Sequence, residues 1–296
     1  MSNVASKQSL GTIGVSPQAN NDFRKQVSTF SKYAFLIVLT ILWLVPMIAA
    51  VITSLRTMAD INANGFWSIP AEISFGNFER AWNQANVSAY LGNSFLITIP
   101  SLFFMLLLSS LSSFALARYK FRWNLPLYFM FVAGTMLPFQ ILLLPVFRLA
   151  NSLGLYDTHW ALIIIHTAFQ MGFCTFVLRN FMKGVPSEIF EAAKVDGASE
   201  FRQYWQMMLP LSLPSMAALA TLEFTWVFND YLWALVLIRS DSLKPVTAGL
   251  STLQGQFVSD WTLITAGAIL ATLPTIFVFV FLQRYFIQGL TLGSNK

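Results

Sequence analysis

The chain has 296 residues, 56% of them apolar and only 10% charged, with a net charge of +5 and a mean hydropathy of +0.61. Soluble domains carry about 25% charged residues, so this composition excludes a water-exposed globule and calls for a bilayer. The positive charge does not indicate nucleic acid, because the basic residues are scattered through short connections and form no basic face.

At the N-terminus, a polar tail over 1–32, rich in Ser, Asn and Gln from Met1 to Asn21, is expected to be disordered. Six blocks follow that can each supply the roughly 20 apolar residues needed to cross about 30 Å of hydrocarbon. They are 33–55, 91–117, 125–147, 159–178, 211–238 and 263–286. The first runs 23 residues. It is longer and deeper in the chain than a secretory h-region of about 7–15 residues, so it reads as a retained span. Prolines interrupt nearly every block (Pro46, Pro100, Pro138, Pro145, Pro214, Pro274) and read as kinks that neighbouring helices satisfy. The expected fold is an all-α integral membrane protein with six transmembrane helices. Its membrane domain spans 33–290 and a short tail covers 291–296.

Cytoplasmic loops carry an excess of Lys and Arg. Placing the N-terminal tail, the loop at Arg118–Arg122, the loop over 179–210 and the C-terminal end inside puts 13 of the 18 basic residues there. Arg56, Arg80, Arg148, Arg239 and Lys244 remain outside, and both termini are expected in the cytoplasm. Trp123, Trp160, Trp233 and Trp261 fall near predicted helix ends, where indole rings favour the interface. Between the first two spans, Asn77 to Trp82 reads as a short amphipathic helix on the membrane surface. The loop Arg239 to Thr262 is rich in Gly, Ser, Thr and Gln. Cys174, the single cysteine, lies inside a span, so no internal disulfide forms and no C-x-x-C motif exists.

The loop over 179–210 holds 8 of the 31 charged residues and is much longer than a passive connection. Pro186-Ser187-Glu188 is a helix start. Ile189 to Val195 continues it, and Asp196-Gly197 stops it with a residue that accepts the left-handed conformation. Ser199 caps a second helix with Phe201, Tyr204, Trp205 and Met208 on one apolar stripe, ending at Leu209-Pro210. Glu191-Ala192-Ala193, three residues, Gly197, nine residues, Met207, one residue, then Leu209-Pro210 resembles the EAA loop of bacterial ABC importers. Met207 replaces the family's Ile, a volume-conserving change.

The resemblance continues through Tyr204 to Pro214, Trp226-Val227-Phe228-Asn229-Asp230, Leu253-Gln254-Gly255-Gln256 and Gly289-Leu290-Thr291-Leu292-Gly293. All are similar to carbohydrate-importer permeases of the maltose-permease type, over roughly residues 30 to 296. It implies a type I ABC importer permease in a bacterial inner membrane, paired with a second permease subunit and two ATPase subunits. It also implies an extracytoplasmic solute-binding protein that delivers a sugar, and no nucleic acid. Glu191, Ala192, Ala193, Asp196, Gly197, Met207, Leu209 and Pro210 would couple to the ATPases. Leu253, Gln254, Gly255 and Gln256 would touch the binding protein. No G-x-x-x-x-G-K-[ST] loop occurs, so the chain is not expected to be an enzyme or to hold a cofactor. ATP and Mg would sit on the partner chains.

Charged groups at membrane depth are costly and face a bundle interior or a water-filled cavity. Glu223 and Asp230 are the only two acids in the predicted spans, seven residues apart on one helix face. With Asn229 beside Asp230, and Asn93, Gln140 and Gln170, they are the candidate pathway residues. Simple packing roles remain open for each. His159 and His166 share a face, but no acid or thiol stands near them on that helix, so interfacial and packing roles are expected rather than a metal. Two other readings compete. An ion-coupled secondary transporter would use Glu223 and Asp230, and a membrane enzyme would use the histidines and acids.

Overall fold

The computed structural model describes residues 17–253 and 260–291, which are helical apart from short connections. In chain order the helices are α1 (Pro17–Ser54), α2 (Met58–Asn64), α3 (Gly76–Asn83), α4 (Val87–Arg118), α5 (Asn124–Thr135), α6 (Phe139–Ser152) and α7 (His159–Lys183). There follow α8 (Ser187–Val195), α9 (Glu200–Gln203), α10 (Leu209–Phe228), α11 (Leu232–Leu237), α12 (Val246–Ser251) and α13 (Trp261–Thr291), with a π-helical turn (Tyr204–Met208) between α9 and α10. Among the described residues, five helical stretches are long and apolar enough to cross a membrane, or six if the bent pair α5–α6 is one span. The all-α membrane fold read from the sequence is the fold found.

The chain divides into two units at Ile52. In the first, α1 begins at Pro17 and so takes in residues 17–32 of the tail expected to be disordered. Residues 1–16 lie outside the described part. Apolar side chains along α1, Leu42 and Trp43 among them, are exposed.

The second unit is built on α4 and α7. Lipid tails are as apolar as leucine, so membrane helices associate through close packing and interhelical hydrogen bonds. Along α4, Ser101, Met105, Ser109 and Ser113 recur at four-residue steps and are fully buried. Ser109 Oγ donates to the Met171 carbonyl (3.3 Å), Ser113 Oγ to that of Thr175 (3.1 Å), and Thr167 Oγ1 to that of Ser101 (3.4 Å). Such bonds contribute about 0.6 kcal/mol each. Gly172 on α7 lets α5 come close, because a Cβ there would lie 2.7 Å from the Phe131 carbonyl oxygen.

Two expected spans are broken. The block 125–147 is α5 and α6, bent by 101°. Pro138 disfavours helical geometry at Leu137 and brings no N–H of its own, so the chain turns there. The block 211–238 stops at Phe228, and Asn229 to Tyr231 separate it from α11. Trp233 is buried in the core with its ring 6.2 Å from that of Phe139, rather than at an interface. Trp123, Trp160 and Trp261 are exposed.

At the end where α4 begins, polar contacts replace apolar ones. Arg56, which reads as a loop charge, is completely buried and paired with Asp60 at 2.6 Å. Asn77 Nδ2 donates to the carbonyls of Ser54 and Arg56, and Arg80 pairs with Asp260 at 2.7 Å, tying α3 to the start of α13. Tyr90 Oη donates to Asp241 at 2.8 Å.

Asp157 joins α7 to the segment after α11. It is a non-glycine residue at φ +61, a conformation aspartate tolerates better than most residues. Its carboxylate accepts from the Ser240 hydroxyl and from the amides of Ser240 (2.8 Å) and Arg239 (2.9 Å). The Ser240 bonds, then the Arg239 amide, hold its carboxyl below the usual range against partial burial. An unfolded aspartate titrates near 3.9. With the folded value lower, the clamp contributes fully above that pH and is lost as pH falls through the folded value. At pH 7, Asp157→Ala is expected to speed amide exchange at 239–240 roughly tenfold or more, given the ~1.5–3 kcal/mol of a charged hydrogen bond. Exchange measured by mass spectrometry at wild-type rates would remove the clamp from this account.

Candidate functional site

The loop over 179–210 folds as a rigid element with one tight turn. Glu188 stands in the first turn of α8, where the helix dipole favours an acid. Gly197 closes the helix at φ +76, a region open to glycine without a Cβ penalty. Its amide bonds to the Lys194 carbonyl (3.1 Å) and that of Ala198 to Ala193 (2.9 Å), the paired closure of a Schellman motif. Ser199 Oγ accepts from the Arg202 amide and starts α9. Glu191, Ala192, Asp196 and Gly197 are exposed and Ala193 is half-buried.

The expected stripe of Phe201, Tyr204, Trp205 and Met208 is divided. Tyr204 and Met208 are buried, whereas Phe201 (72% exposed) and Trp205 stay on the surface with their rings 5.9 Å apart. The π turn is the cause, since its wider winding carries the Tyr204–Met208 column inward. It also changes the role of Leu209-Pro210, which does not end the helix. Pro210 lacks an N–H and its ring would press on the carbonyl four residues back. In the widened turn the Leu209 amide reaches the Tyr204 carbonyl instead, and helix runs unbroken from Glu200 to Phe228. That rod is on the order of 40 Å long. Leu209 and Met207 are half-buried and Pro210 is exposed.

Three contacts fix this element to the end of α4. Phe190 is 2% exposed, with the Arg118 guanidinium 4.0 Å from its ring centre. Tyr204 Oη lies 2.6 Å from Ser110 Oγ, and its ring is 5.4 Å from that of Phe114. Burial, and then the hydrogen bond to Glu200, push the Tyr119 phenol up to about 12. Tyr119 therefore stays protonated at neutral pH beside the Glu200 carboxylate.

Farther along the rod, α10 forms one wall of a cleft. Two hollows of ≈ 420 and ≈ 300 Å³ share Phe139 and Trp226. Thr225, Asn229, Asp230 and Tyr231 line the larger one, while Phe169, Gln170, Phe173 and Glu223 line the smaller. The Asp230 carboxylate accepts from the amides of Trp233 (3.4 Å) and Ala234 (3.1 Å), which starts α11 after the break. His166 Nε2 lies 3.6 Å from Asp230 Oδ2.

Residues 89–292 match the family described as the binding-protein-dependent transport system inner membrane component. The chain belongs to this family. Over 293 residues the permease is 33% identical to the osmoprotective compounds uptake permease protein GgtD of Synechocystis, covering 96% of this chain and 98% of that one. It is 34% identical to the arabinooligosaccharides transport system permease protein AraQ of Halalkalibacterium halodurans, covering 85% of this chain and 90% of that one. Its fold matches a crystal structure of a bacterial ABC transporter involved in the import of the acidic polysaccharide alginate. The TM-score is 0.80 at 21% identity, over 93% of this chain and 100% of that one. The permease is a transporter subunit and not an enzyme, and family membership replaces the ion-coupled and enzymatic readings.

Of the candidate pathway residues, the permease brings Gln170, Glu223, Asn229 and Asp230 to the cleft. Gln140 is exposed on α6. Asn93 is elsewhere, donating to the carbonyls of Ser242 (2.8 Å) and Lys244 (3.0 Å) and pinning that segment to α4. Leu253 is half-buried and packs against the core cluster that includes Ala266 of α13, and Gln254, Gly255 and Gln256 lie outside the described residues. His159 Nε2 meets the Leu243 carbonyl at 3.0 Å, so the two histidines make separate contacts. Among the described residues no group of three His, Cys, Asp or Glu side chains could hold a metal. Sequence reasoning missed Phe190, Arg118, Phe139 and Trp226. Phe190 carried a signal, as a phenylalanine inside a charged loop, but Arg118 reads only as an orientation charge.

Proposed function

We propose that the permease is one membrane half of an ATP-driven saccharide importer, and that α8 and α9 are where a partner ATPase pushes. The arrangement is a second permease subunit, two ATPase chains carrying ATP and Mg, and an extracytoplasmic binding protein that meets the region of 253–256. The membrane is the bacterial inner membrane and both termini are cytoplasmic, as the Lys and Arg distribution favours. Sugar follows from relatives such as the arabinooligosaccharide permease.

One observation carries the reading: an exposed apolar tip stands on a fixed base. Val195 (88% exposed) and Phe201 flank the Gly197 turn, and a partner groove can bury them. Behind them the Phe190 and Tyr204 contacts hold the base to α4, and the rod runs on to the cleft. A push on the tip is thereby carried to Glu223 and Trp226 without a flexible joint.

Gly197→Val tests this. A side chain at Gly197 would meet nothing within 4 Å, so the change acts through the left-handed backbone alone, at a cost of about 1–2 kcal/mol. The variant is expected to insert and to pair with the second permease normally. Sugar moved per ATP should fall about tenfold, while Gly197→Asn, which tolerates this backbone, stays near wild type. Normal coupling in the valine variant would sink the lever reading.

A further inference from the structure

The cleft has a chemical character that the fold does not require. Its walls carry two carboxylates, Glu223 and Asp230, with the amides of Gln170 and Asn229, and no lysine or arginine among the described lining. Glu223 is 1% exposed. Its Oε2 is buried without a partner on the wall of the smaller hollow. A buried acceptor left open is costly, and more so at membrane depth. An acceptor kept free there marks where a donor arrives.

Trp226 lines both hollows and is 59% exposed, with Phe139 on the same walls. A sugar ring presents an apolar C–H face and a rim of hydroxyl donors. Flat aromatic faces beside free acceptors suit both, and the hollows are of the size of small-ligand clefts. We propose that Trp226, Phe139, Gln170, Glu223 and Asp230 form a subsite for an uncharged saccharide ring on this subunit. Asp230, whose carboxylate accepts two backbone amides, turns away uronates and sugar phosphates through like-charge repulsion, which a low-dielectric cleft strengthens, and no cation on the described lining offsets it. This rests on the importer reading and adds to it the charge of the substrate and the residues that sort it. It also separates this permease from the transporter of similar fold that is involved in importing an acidic polysaccharide.

The test uses the complete membrane complex in nanodiscs, without binding protein, probed by saturation-transfer NMR. The neutral probes are maltotriose, raffinose and arabinotriose, and the acidic ones trigalacturonate and glucose 6-phosphate. At least one neutral sugar is expected to bind and the acidic ones not. Because Trp226 is exposed, Trp226→Ala leaves no hole in the core. It should weaken neutral binding about tenfold, with Trp226→Phe restoring most of it. Asp230→Asn, which keeps the side-chain shape and an oxygen for the α11 amides, should admit the acidic probes.

The proposal is overturned by neutral binding that neither variant alters, by acidic probes binding the wild type as well as neutral ones, or by no probe binding. In parallel, sugar-stimulated ATP hydrolysis is measured on the importer with its binding protein. Stimulation by no sugar overturns the importer reading itself. Stimulation beside binding that ignores the variants overturns only the subsite.

Discussion

Phe190→Ala is expected to abolish most coupling, with sugar moved per ATP falling at least about tenfold while the permease remains in the membrane. Phe190 is the one fully buried side chain of α8, and its ring is the seat of the Arg118 guanidinium. Truncating a buried phenylalanine costs roughly 3–5 kcal/mol, and the cation–π contact adds about 0.5–2 kcal/mol. A nine-residue helix has no stability of its own to set against that loss. α8 should then dock on the ATPase yet swing freely on α4, so ATP is hydrolysed without moving the cleft. Phe190→Leu keeps most of the volume and should retain most of the coupling. The two readouts are co-purification of the ATPase and the ratio of sugar transported to ATP consumed. Unchanged coupling in the alanine variant would place the force path elsewhere.

Arg56→Ala is expected to be the most damaging single change to stability outside the spans. The guanidinium donates from Nε to Asp60 (2.6 Å) and from Nη1 to the carbonyls of Gly65 (2.9 Å), Phe66 (3.2 Å) and Ser68 (3.2 Å). Nη2 reaches Ser68 Oγ at 2.6 Å. The loss falls on the guanidinium side, which is fully buried, whereas Asp60 is only half-buried and keeps the Asn64 amide as a donor. Here the backbone carbonyls of four residues, Asp60, Gly65, Phe66 and Ser68, lose the guanidinium as a donor. Arg56→Lys keeps the charge but cannot reproduce a planar fork with five donors, so it should fall between the two. Thermal unfolding of the purified complex, with proteolysis at 57–75 as a local readout, measures the effect. An alanine variant as stable and as protease-resistant as wild type would contradict it.

Much of the element from Ser187 to Pro210 was legible in the sequence. Gly197 announces a helix stop because a left-handed residue is required there and glycine supplies it, and the φ of +76 agrees. Ser199 was readable as a cap for the same kind of local reason. The stripe through Phe201 and Tyr204 was not, because it assumed regular winding, and the π turn answers Pro210 nine residues downstream of Phe201. The break at Leu137-Pro138 was visible as a proline and misread as a kink. Five other interior prolines leave their helices continuous, so proline alone does not tell a bend from a break.

The cleft divides along the same line. Composition showed that Glu223 and Asp230 are costly where they stand, and so worth finding a reason for. It could not show that Asp230 caps a helix while Glu223 keeps an oxygen free, since both facts depend on where the chain stops being helical. The sequence by itself determined the membrane class, the helical content and the local chemistry of the Gly197 turn, because hydropathy and capping act over one or two helical turns. Only the tertiary structure decided which charges are structural, which aromatics face the cleft, and how the turn is fixed to α4. Those depend on contacts such as Arg118–Phe190 and Ser110–Tyr204, between residues far apart in the chain. In a bilayer the apolar pattern marks what lipid will accept without ranking one apolar face over another as a packing surface.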